Sequence, residues 1–406
     1  MTLARWRAWT GQLALALASL ALGLGLLEGW ARWEQARPRP AAKQNERAEY
    51  TDFHPLLGWV KRPGARVVYR RPEYTVEVAI NSRGLRDPER GAGPRDVPRV
   101  LALGDSFVEG YTVPLEDTVT QALERALGSA GCRSEVINAG TGGYSTDQEY
   151  LFYREEGVRY APEVVLLFFF HNDVPANAQV NYFGARKPRF VSGAGGLVPL
   201  NLPLSPPAGR KPAAEPPADG GPPQRWHGSA FLEWMRQRLA GGAPATYNQL
   251  ARLGWWPLLR REPTDALQVY QRSPPPRVSE GWRVTRALLA ELQAEVTRHG
   301  SRLLLVYVPN RFEVDDGAWA RSREVYGMDE GGWDRHAPAE RLRTMAGKLR
   351  LPLVDLTPPL RAAQGALAPP TYFQLDGHWT ARGHRVAAQA LASRLTEPGW
   401  LPGCGG

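Results

Sequence analysis

From Arg99 onward, the hydrophobic positions of this chain alternate between two patterns. Short, mostly apolar runs predict buried strands, and the stretches between them, with apolar residues every three or four positions, predict amphipathic helices. Strands that alternate with helices indicate an α/β fold with a parallel sheet between two helical layers. The predicted strands are Val100–Leu103, Glu135–Asn138, Val164–Phe170, Leu303–Val308 and Leu353–Asp355, and the predicted helices are Leu115–Leu127, Asp147–Glu156, Gly281–Arg298, Ala339–Leu349 and Ala381–Leu395.

The amino-terminal segment has no polar face. Ala8–Leu27 contains no charged residue, and as a helix it would be about 30 Å long, the thickness of the hydrocarbon core of a bilayer. Tryptophans flank this stretch on both sides, as in an aromatic belt. We predict an uncleaved membrane anchor. A cleaved signal peptide is the main alternative, although no clean Ala-x-Ala cleavage site precedes Glu28. A buried helix of a soluble protein is a weaker alternative, because the segment has no polar face.

Between the anchor and the α/β region lies a segment of mixed character. It begins as a polar, Pro-containing tether and continues as a small β-rich lead-in, in which extended segments such as Tyr74–Ile80 alternate with turns such as Asn81–Gly84. The predicted domains are the anchor (1–33), the tether and lead-in (34–98), the α/β domain (99–398) and a tail (399–406).

A long insertion, residues 174–279, interrupts the α/β domain between two of its strands. Pro203–Pro223 is rich in Pro, Ala and Gly and cannot form a core element, whereas Ser229–Leu239 and Tyr247–Leu259 have helical patterns. The insertion stands where it could cover an active site. Its Pro-rich half is equally consistent with a low-complexity segment that has no role.

Composition narrows the classes of function. The formal net charge is +9, but the basic residues are scattered, so we predict no nucleic-acid partner. Cys132 and Cys404 are too few for a disulfide framework, and we expect a core residue and a tail thiol rather than a bond between them. No histidine, cysteine or acidic cluster has metal-ligand spacing, so neither a metal nor a cofactor is predicted.

A serine follows the first predicted strand directly, in the tripeptide Gly104-Asp105-Ser106. In parallel α/β sheets the loops at the carboxyl ends of the strands carry the functional groups. A serine there is exposed, and the amino terminus of the following helix favours negative charge that develops beside it. Alone, this tripeptide is also a common turn.

Two more loops carry groups that could stabilise an oxyanion. Asn138–Thr146 is rich in glycine, which lets a backbone N–H point into a site. Asn172 ends the very apolar strand Val164–Phe170, and its amide can donate a hydrogen bond. A plain turn and a helix-capping Asn are the alternatives.

The fourth signal is Asp376-Gly377-His378-Trp379-Thr380, just before the last helix. A histidine can serve as the general base for a serine hydroxyl, and a nearby carboxylate fixes its tautomer and stabilises the imidazolium. His384, inside the following helix, is predicted to be structural and to hydrogen-bond backbone.

In order and spacing, these four blocks resemble those of the SGNH/GDSL hydrolases. The resemblance covers roughly residues 99–173 and 281–395 and implies a three-layer, flavodoxin-like parallel sheet. The segment Asn81–Arg86 is similar to the lead-in of membrane-anchored bacterial members of that family.

The resemblance also implies roles for individual residues. Ser106 would be the nucleophile, His378 the base and Asp376 its carboxylate partner. The oxyanion hole would combine the N–H groups of Ser106 and Gly143 with the side-chain amide of Asn172.

The chain departs from the usual family pattern twice. Phe170 stands where a glycine usually precedes the Asn by two positions, which narrows or reshapes that wall of the site. Asp376 precedes His378 by two residues rather than three, a spacing similar to that of polysaccharide O-acetyltransferases and related esterases.

Three functions are consistent with these features. The first is a serine esterase that removes small acyl groups from a carbohydrate or lipid. The second is an O-acyltransferase that modifies an exported polysaccharide and takes its acyl group from a membrane partner. The third is a noncatalytic protein of envelope assembly that retains the fold.

The topology of the anchor is ambiguous in sequence. Arg5 and Arg7 precede the apolar stretch and five basic residues follow it closely, which favours a cytoplasmic carboxyl-terminal side. The resemblance instead implies a single-pass protein of the cytoplasmic membrane with an extracytoplasmic, periplasmic catalytic domain. We adopt the second prediction because large domains are translocated despite flanking positive charge.

Overall fold

The computed structural model describes residues 3–36, 46–91, 93, 96–193, 196–206, 229–242, 246, 249–250, 253, 263–365 and 368–404. The chain divides into two compact units. The smaller contains Met1–Lys43, Pro222–Glu262 and Arg323–Gly327; the larger contains Gln44–Gly221, Pro263–Ser322 and Met328–Gly406.

The strands and helices agree closely with the predicted α/β pattern. The strands are β1 (Thr51–His54), β2 (Gly58–Lys61), β3 (Arg66–Arg70), β4 (Thr75–Ala79), β5 (Arg99–Leu103), β6 (Glu135–Asn138), β7 (Val164–Phe170), β8 (Asn181–Tyr182), β9 (Ala185–Arg186), β10 (Phe190–Gly193), β11 (Gly196–Pro199), β12 (Arg302–Val308) and β13 (Leu353–Asp355). The helices are α1 (Leu3–Ala36), α2 (Glu46–Tyr50), α3 (Ser106–Glu109), α4 (Val119–Ser129), α5 (Thr146–Glu155), α6 (Asp173–Ala176), α7 (Ala230–Gly242), α8 (Asp265–Gln268), α9 (Pro276–Arg298), α10 (Arg311–Val314), α11 (Asp316–Tyr326), α12 (Ala337–Leu349), α13 (Thr357–Ala362) and α14 (Ala381–Leu395).

A five-stranded sheet in the order β13-β12-β7-β5-β6 forms the centre of the larger unit. All four strand pairings are parallel. Numbered along the chain, the order is second, first, third, fourth, fifth, the doubly wound order of flavodoxin-like folds. The predicted α/β fold class is therefore confirmed, and all five predicted core strands are present.

The apolar strands bury both faces of this sheet. Along β7, alternate residues enter two different hydrophobic clusters, since Val165 and Leu167 face one helical layer and Leu166 and Phe168 face the other. Helices α5, α9 and α12 contribute side chains to the first cluster, and α4 and α14 to the second. This two-sided burial explains why the central strand is continuously apolar.

The lead-in consists of two antiparallel hairpins, β1–β2 and β3–β4, as the predicted β-rich segment requires. The end of the predicted tether has regular structure that was not predicted: residues 46–50 form α2. Tyr50 at the end of α2 is buried in a cluster with Tyr69 and Tyr111. That apolar contact, which is distant in sequence, explains why the tether pattern did not reveal the helix.

The insertion contains two short hairpins, β8–β9 and β10–β11, that were not predicted. Helix α7 confirms the predicted helical segment Ser229–Leu239 with slightly different ends. Most of Pro203–Pro223 and of the predicted helix Tyr247–Leu259 lies outside the described residues.

The expectation of two separate cysteines was wrong. Cys132 and Cys404 form a disulfide, with their Cα atoms 5.2 Å apart. Packing of α14 against α4 brings the tail back to the turn after α4, where Leu401 joins the hydrophobic cluster around Leu127. A contact between residues 272 positions apart leaves no local signal in the sequence.

The amino-terminal helix α1 contains the predicted apolar stretch. Its segment Gln12–Glu34, 23 residues with a mean hydropathy of 1.7, is long and apolar enough to cross a membrane, and none of its most apolar window is buried. The leucines of this segment are exposed, for example Leu22 at 66%.

Candidate active site

The site is built at the carboxyl edge of the sheet, and Ser106 lies at its centre. Strand β5 ends at Leu103, and Ser106 is the first residue of α3. The carboxylate of Asp105 caps this short helix by accepting a hydrogen bond from the N–H of Phe107 at 2.9 Å. The cap fixes the turn so that the serine hydroxyl points out of the sheet edge.

His378 contacts the serine directly, with its Nε2 2.8 Å from Oγ of Ser106. The imidazole packs against Phe107 and Tyr111, with ring centroids 4.8 and 5.1 Å away. The next residue, Trp379, is completely buried and also contacts Phe107, with ring centroids 5.0 Å apart. Burial of this indole holds the loop in place and leaves His378 partly exposed at the site.

Asp376 lies on the other side of the imidazole. Its Oδ1 is 2.5 Å from Nδ1 of His378, and its Oδ2 accepts a hydrogen bond from the hydroxyl of Tyr74 at 2.7 Å. Burial alone would raise the pKa of Asp376, but the His378 charge and hydrogen bond, together with the Tyr74 hydroxyl, outweigh it and lower the pKa to about 2. The carboxylate is therefore ionised at neutral pH, as an acceptor for Nδ1–H must be.

A second acidic residue holds the loop that carries Asp376. The carboxylate of Glu73 accepts hydrogen bonds from the N–H groups of Gln374, Leu375 and Asp376 at 2.6, 2.8 and 2.9 Å. Because three successive amides bind one carboxylate, the backbone before His378 is fixed by the β3–β4 hairpin rather than by its own sequence.

The glycine-rich turn packs against the nucleophile loop. The N–H of Thr141 donates to the carbonyl oxygen of Gly104 at 3.0 Å, and the N–H of Gly142 donates to Oε2 of Glu109 at 2.5 Å. Gly143 has a φ of +72°, and a Cβ there would lie 2.7 Å from the ring of Phe183. Within the described part of the chain, no hydrogen bond engages the N–H of Gly143.

Asn172 follows β7 at the same edge and precedes α6. Its Nδ2 donates to the hydroxyl of Tyr182 at 3.2 Å. Phe183, the next residue of that hairpin, covers Gly143, so adjacent aromatic residues contact both candidate oxyanion groups. The hairpin β8–β9 therefore forms a wall of the site.

Arg47 brings a positive charge to the glycine-rich turn. Its guanidinium lies against Gly142 and Gly143, and its Cζ is 5.0 Å from the centre of the Phe183 ring. A Cβ on Gly143 would lie 2.9 Å from Nη1 of Arg47, so the close approach depends on glycine. This charge stands beside the predicted oxyanion N–H.

Buried carboxyl groups lie beneath the site. Burial raises the pKa of Asp105 to about 6, against the opposing effects of the Phe107 N–H and the charge of His378. Burial, reinforced by neighbouring carboxylates, raises the pKa values of Glu149 and Asp173 well above their ordinary range. Their neutral forms are therefore favoured, which limits the negative charge under a site expected to stabilise an oxyanion.

The structure brings Ser106, His378 and Asp376 into one hydrogen-bonded chain, and it places Gly143 and Asn172 on the neighbouring loops of the same sheet edge.

His384 is structural as predicted, because its Nδ1 accepts the N–H of Val119 at 3.1 Å. Among the described residues, no cluster of three or more histidine, cysteine or acidic side chains could hold a metal ion.

Sequence reasoning missed five residues at the site. They come from the lead-in and the insertion, and nothing in their local pattern distinguishes them from surface residues. Only their contacts with the loops after β6 and β7 and with the loop before α14 give them a role. They are Arg47, Glu73, Tyr74, Tyr182 and Phe183.

Comparison with known proteins supports this picture. Residues 271–403 match the model of a family described as SGNH hydrolase-like domain, acetyltransferase AlgX. Over that segment, this chain is similar to an SGNH hydrolase-like domain. The resemblance drawn from the four sequence blocks is thus confirmed, and the matched segment includes Asp376 and His378.

Similarity to individual proteins is more distant. Over 117 residues, 29% are identical to the probable alginate O-acetylase AlgJ of Pseudomonas putida (strain KT2440). That alignment spans 29% of this chain and only 28% of the relative. The solved structure of TesA is 12% identical, with a TM-score of 0.36 over 73% of this chain and 97% of that one. A catalytic mutant of Axe2, an acetylxylan esterase from Geobacillus stearothermophilus, is 11% identical, with a TM-score of 0.38 over 77% and 98%.

Proposed function

We propose that this protein is a membrane-anchored serine esterase that removes small acyl groups from a carbohydrate or lipid. One observation carries the proposal: Oγ of Ser106 lies 2.8 Å from Nε2 of His378, whose Nδ1 lies 2.5 Å from Asp376. A hydroxyl in contact with a base that is oriented by a carboxylate is the arrangement that activates a serine nucleophile.

The reaction follows from this geometry. His378 accepts the proton of Ser106 as Oγ bonds to the ester carbonyl carbon. The N–H groups of Ser106 and Gly143 and the amide of Asn172 stabilise the oxyanion, and the guanidinium of Arg47 adds positive charge nearby. The imidazolium then gives its proton to the departing alkoxide, which leaves as an alcohol. Water, deprotonated by His378, releases the acyl group as an acid.

The aromatic wall of the site favours short acyl groups. Phe170 stands in place of the glycine usual in this family, and its ring centroid lies 4.7 Å from that of Phe107, next to Ser106. Two aromatic rings in contact beside the nucleophile leave less room for an acyl chain than a glycine would. Acetyl esters are accordingly the first substrates to test.

The second candidate is O-acyl transfer to a sugar hydroxyl of an exported polysaccharide. It is favoured by the similarity to a family described as acetyltransferase and to a probable alginate O-acetylase. The same acyl-enzyme would serve both reactions, because the acceptor alone decides between hydrolysis and transfer. A transferase would also need an acyl donor from a membrane partner.

We place the catalytic domain outside the cytoplasm. The disulfide between Cys132 and Cys404 supports this location, since disulfides persist in oxidising compartments such as the periplasm. The apolar helix α1 would hold the domain at the membrane with a single span. The proposed substrates are acylated carbohydrates or lipids at that surface, and no nucleic acid is involved.

The test uses a soluble chain that begins at Gln44, where the larger unit starts. We expect it to react with a fluorophosphonate probe and to hydrolyse p-nitrophenyl acetate. Ser106→Ala and His378→Ala should abolish both signals, whereas His299→Ala, a change at an exposed histidine outside the site, should leave them intact. Activity that survives Ser106→Ala contradicts the proposal, and a folded chain without labelling favours a noncatalytic role in envelope assembly.

A further inference from the structure

The smaller unit contains a helix–helix contact that the proposed reaction does not use. The carboxylate of Glu28, on α1, accepts hydrogen bonds from the hydroxyl of Ser229 at 2.6 Å and from the N–H groups of Ala230 and Phe231 at 2.9 and 3.0 Å. The first N–H groups of a helix have no partner within that helix, and a negative charge there complements its dipole. Glu28 therefore caps α7 and attaches its amino terminus to α1.

Glu28 lies at the carboxyl-terminal end of the uncharged stretch of α1. It is the first charged residue after the apolar stretch Ala8–Leu27, so the cap lies where the uncharged stretch ends. Trp30 and Trp33 follow within two turns and are 39% and 53% exposed. Tryptophan at the end of an apolar span is typical of the boundary between hydrocarbon and headgroups.

Helix α7 has an apolar stripe at this level. Phe231, Trp234, Met235 and Leu239 stand at positions i, i+3, i+4 and i+8 of the helix, and each is partly exposed. The Trp234 ring meets that of Trp30 edge-on, with centroids 4.9 Å apart. The stripe thus continues the aromatic surface of α1.

A basic residue accompanies the stripe. The side chain of Arg238 is exposed, and its Cζ lies 5.5 Å from the centre of the Trp234 ring. An aromatic side chain next to an exposed guanidinium suits the membrane interface, where the ring enters the acyl boundary and the charge meets anionic headgroups.

We propose that α7 is an interfacial helix, lying in the headgroup–acyl boundary of the same bilayer that α1 spans. The occupant of its apolar stripe is the lipid surface, because the stripe adjoins the membrane-spanning helix at the depth of that helix's own tryptophans. Part of the insertion is then a second membrane attachment, held in place by Glu28. The inference rests on membrane insertion of α1 and is independent of the proposed catalysis.

The test uses the full chain in vesicles of phosphatidylcholine and phosphatidylglycerol. Both native cysteines are in the disulfide, so a cysteine introduced by Met235→Cys can be labelled alone with the environment-sensitive fluorophore NBD. We expect blue-shifted emission that lipids carrying shallow nitroxide quenchers reduce. Leu20→Cys, in the anchor, should be quenched by deep nitroxides.

The controls separate the ways in which the inference can fail. Quenching at Leu20→Cys but not at Met235→Cys overturns the interfacial placement of α7 and shows that its stripe faces water or protein. Absence of quenching at both positions overturns the anchoring itself. Adding Glu28→Ala should remove the quenching at Met235→Cys while p-nitrophenyl acetate hydrolysis is retained, and unchanged quenching overturns the capping role of Glu28.

Discussion

The hydroxyl of Tyr74 donates a hydrogen bond to Oδ2 of Asp376, a residue 302 positions further along the chain. This contact joins the β3–β4 hairpin of the lead-in to the carboxylate that orients His378. Glu73, the preceding residue, binds three amides of the same loop. The lead-in is therefore part of the candidate active site, in addition to connecting the anchor with the α/β domain.

We expect Tyr74→Phe to weaken catalysis without unfolding the protein. Phenylalanine keeps the ring contact with Phe373, whose centroid is 5.1 Å away, but removes the hydrogen bond. Since that bond lowers the pKa of Asp376, its loss should raise this pKa, and a hydrogen bond to a charged group contributes about 1.5–3 kcal/mol. The measurement is kcat for p-nitrophenyl acetate, with urea unfolding at pH 7. An unchanged kcat would show that Tyr74 does not position the carboxylate.

The low pKa of Asp376 predicts a specific dependence of stability on pH. The folded-state pKa of about 2 lies below the ordinary 3.8, so the ionised carboxylate stabilises the folded state by about 2 kcal/mol above pH 3.8. That contribution is lost as the pH falls through about 2. Asp376→Asn should lack this decline, which urea unfolding of both proteins between pH 2 and pH 7 can measure. If the free energy of unfolding depended on pH in the same way in both proteins, the lowered pKa of Asp376 would be excluded.

Removal of the Asn172 amide tests the proposed oxyanion hole. We expect Asn172→Ala to reduce kcat by about 10²–10³ with little change in KM, because an oxyanion donor acts mainly in the transition state. Asn181→Ala, an exposed change in the adjacent hairpin, should keep nearly full activity. Equal activity of the two variants would remove Asn172 from the mechanism.

Gly143→Ala should be damaging for a steric reason. The φ of +72° disfavours a side chain, and the new Cβ would lie 2.7 Å from Phe183 and 2.9 Å from Nη1 of Arg47. We predict a large loss of kcat and a lower melting temperature. Gly128→Ala is the matched control: it lies in α4, its Cβ would meet nothing within 4 Å, and alanine should stabilise the helix by up to about 1 kcal/mol. Comparable activity of the two variants would show that the glycine-rich turn can shift to accommodate a side chain at position 143.

The residue at which a soluble chain begins should affect its catalytic activity. Beginning at Thr51 instead of Gln44 removes Arg47 and Tyr50, and the Tyr50 hydroxyl donates to Oε1 of Glu109 at 2.7 Å. The other oxygen of Glu109 accepts the N–H of Gly142, so the shorter chain loses support for the glycine-rich turn. We expect a lower melting temperature and a reduced kcat. Tyr50→Phe in the longer chain isolates the hydrogen bond, and equal kcat for both lengths would contradict the argument.

The central sheet was predictable because its signals are local. The residues of β7 are apolar on both faces of the sheet, so the strand could be located from seven residues alone. Asp376 and His378 were predictable for the same reason, since they stand two positions apart beside a tryptophan that the core buries. The fold class therefore followed from patterns that short windows contain.

Other features depend on contacts between distant segments. Tyr74 and Asp376 meet only after the lead-in packs on the domain, and α2 is stabilised by burial of Tyr50 rather than by its own sequence. The Cys132–Cys404 bond requires α14 to lie along α4. The hairpin with Tyr182 and Phe183 is too short to show a periodic pattern. These features were missed because their stabilising interactions lie outside any short window.

The proposed nucleophile and its base are 272 residues apart along the chain. At a synthesis rate of about 5–20 residues per second, His378 is made roughly 15–50 s after Ser106. Throughout that interval the nascent chain carries a serine without its proton acceptor. On the proposed mechanism, the chain would therefore become able to attack acyl esters only after His378 has been made and its loop has packed beside Ser106.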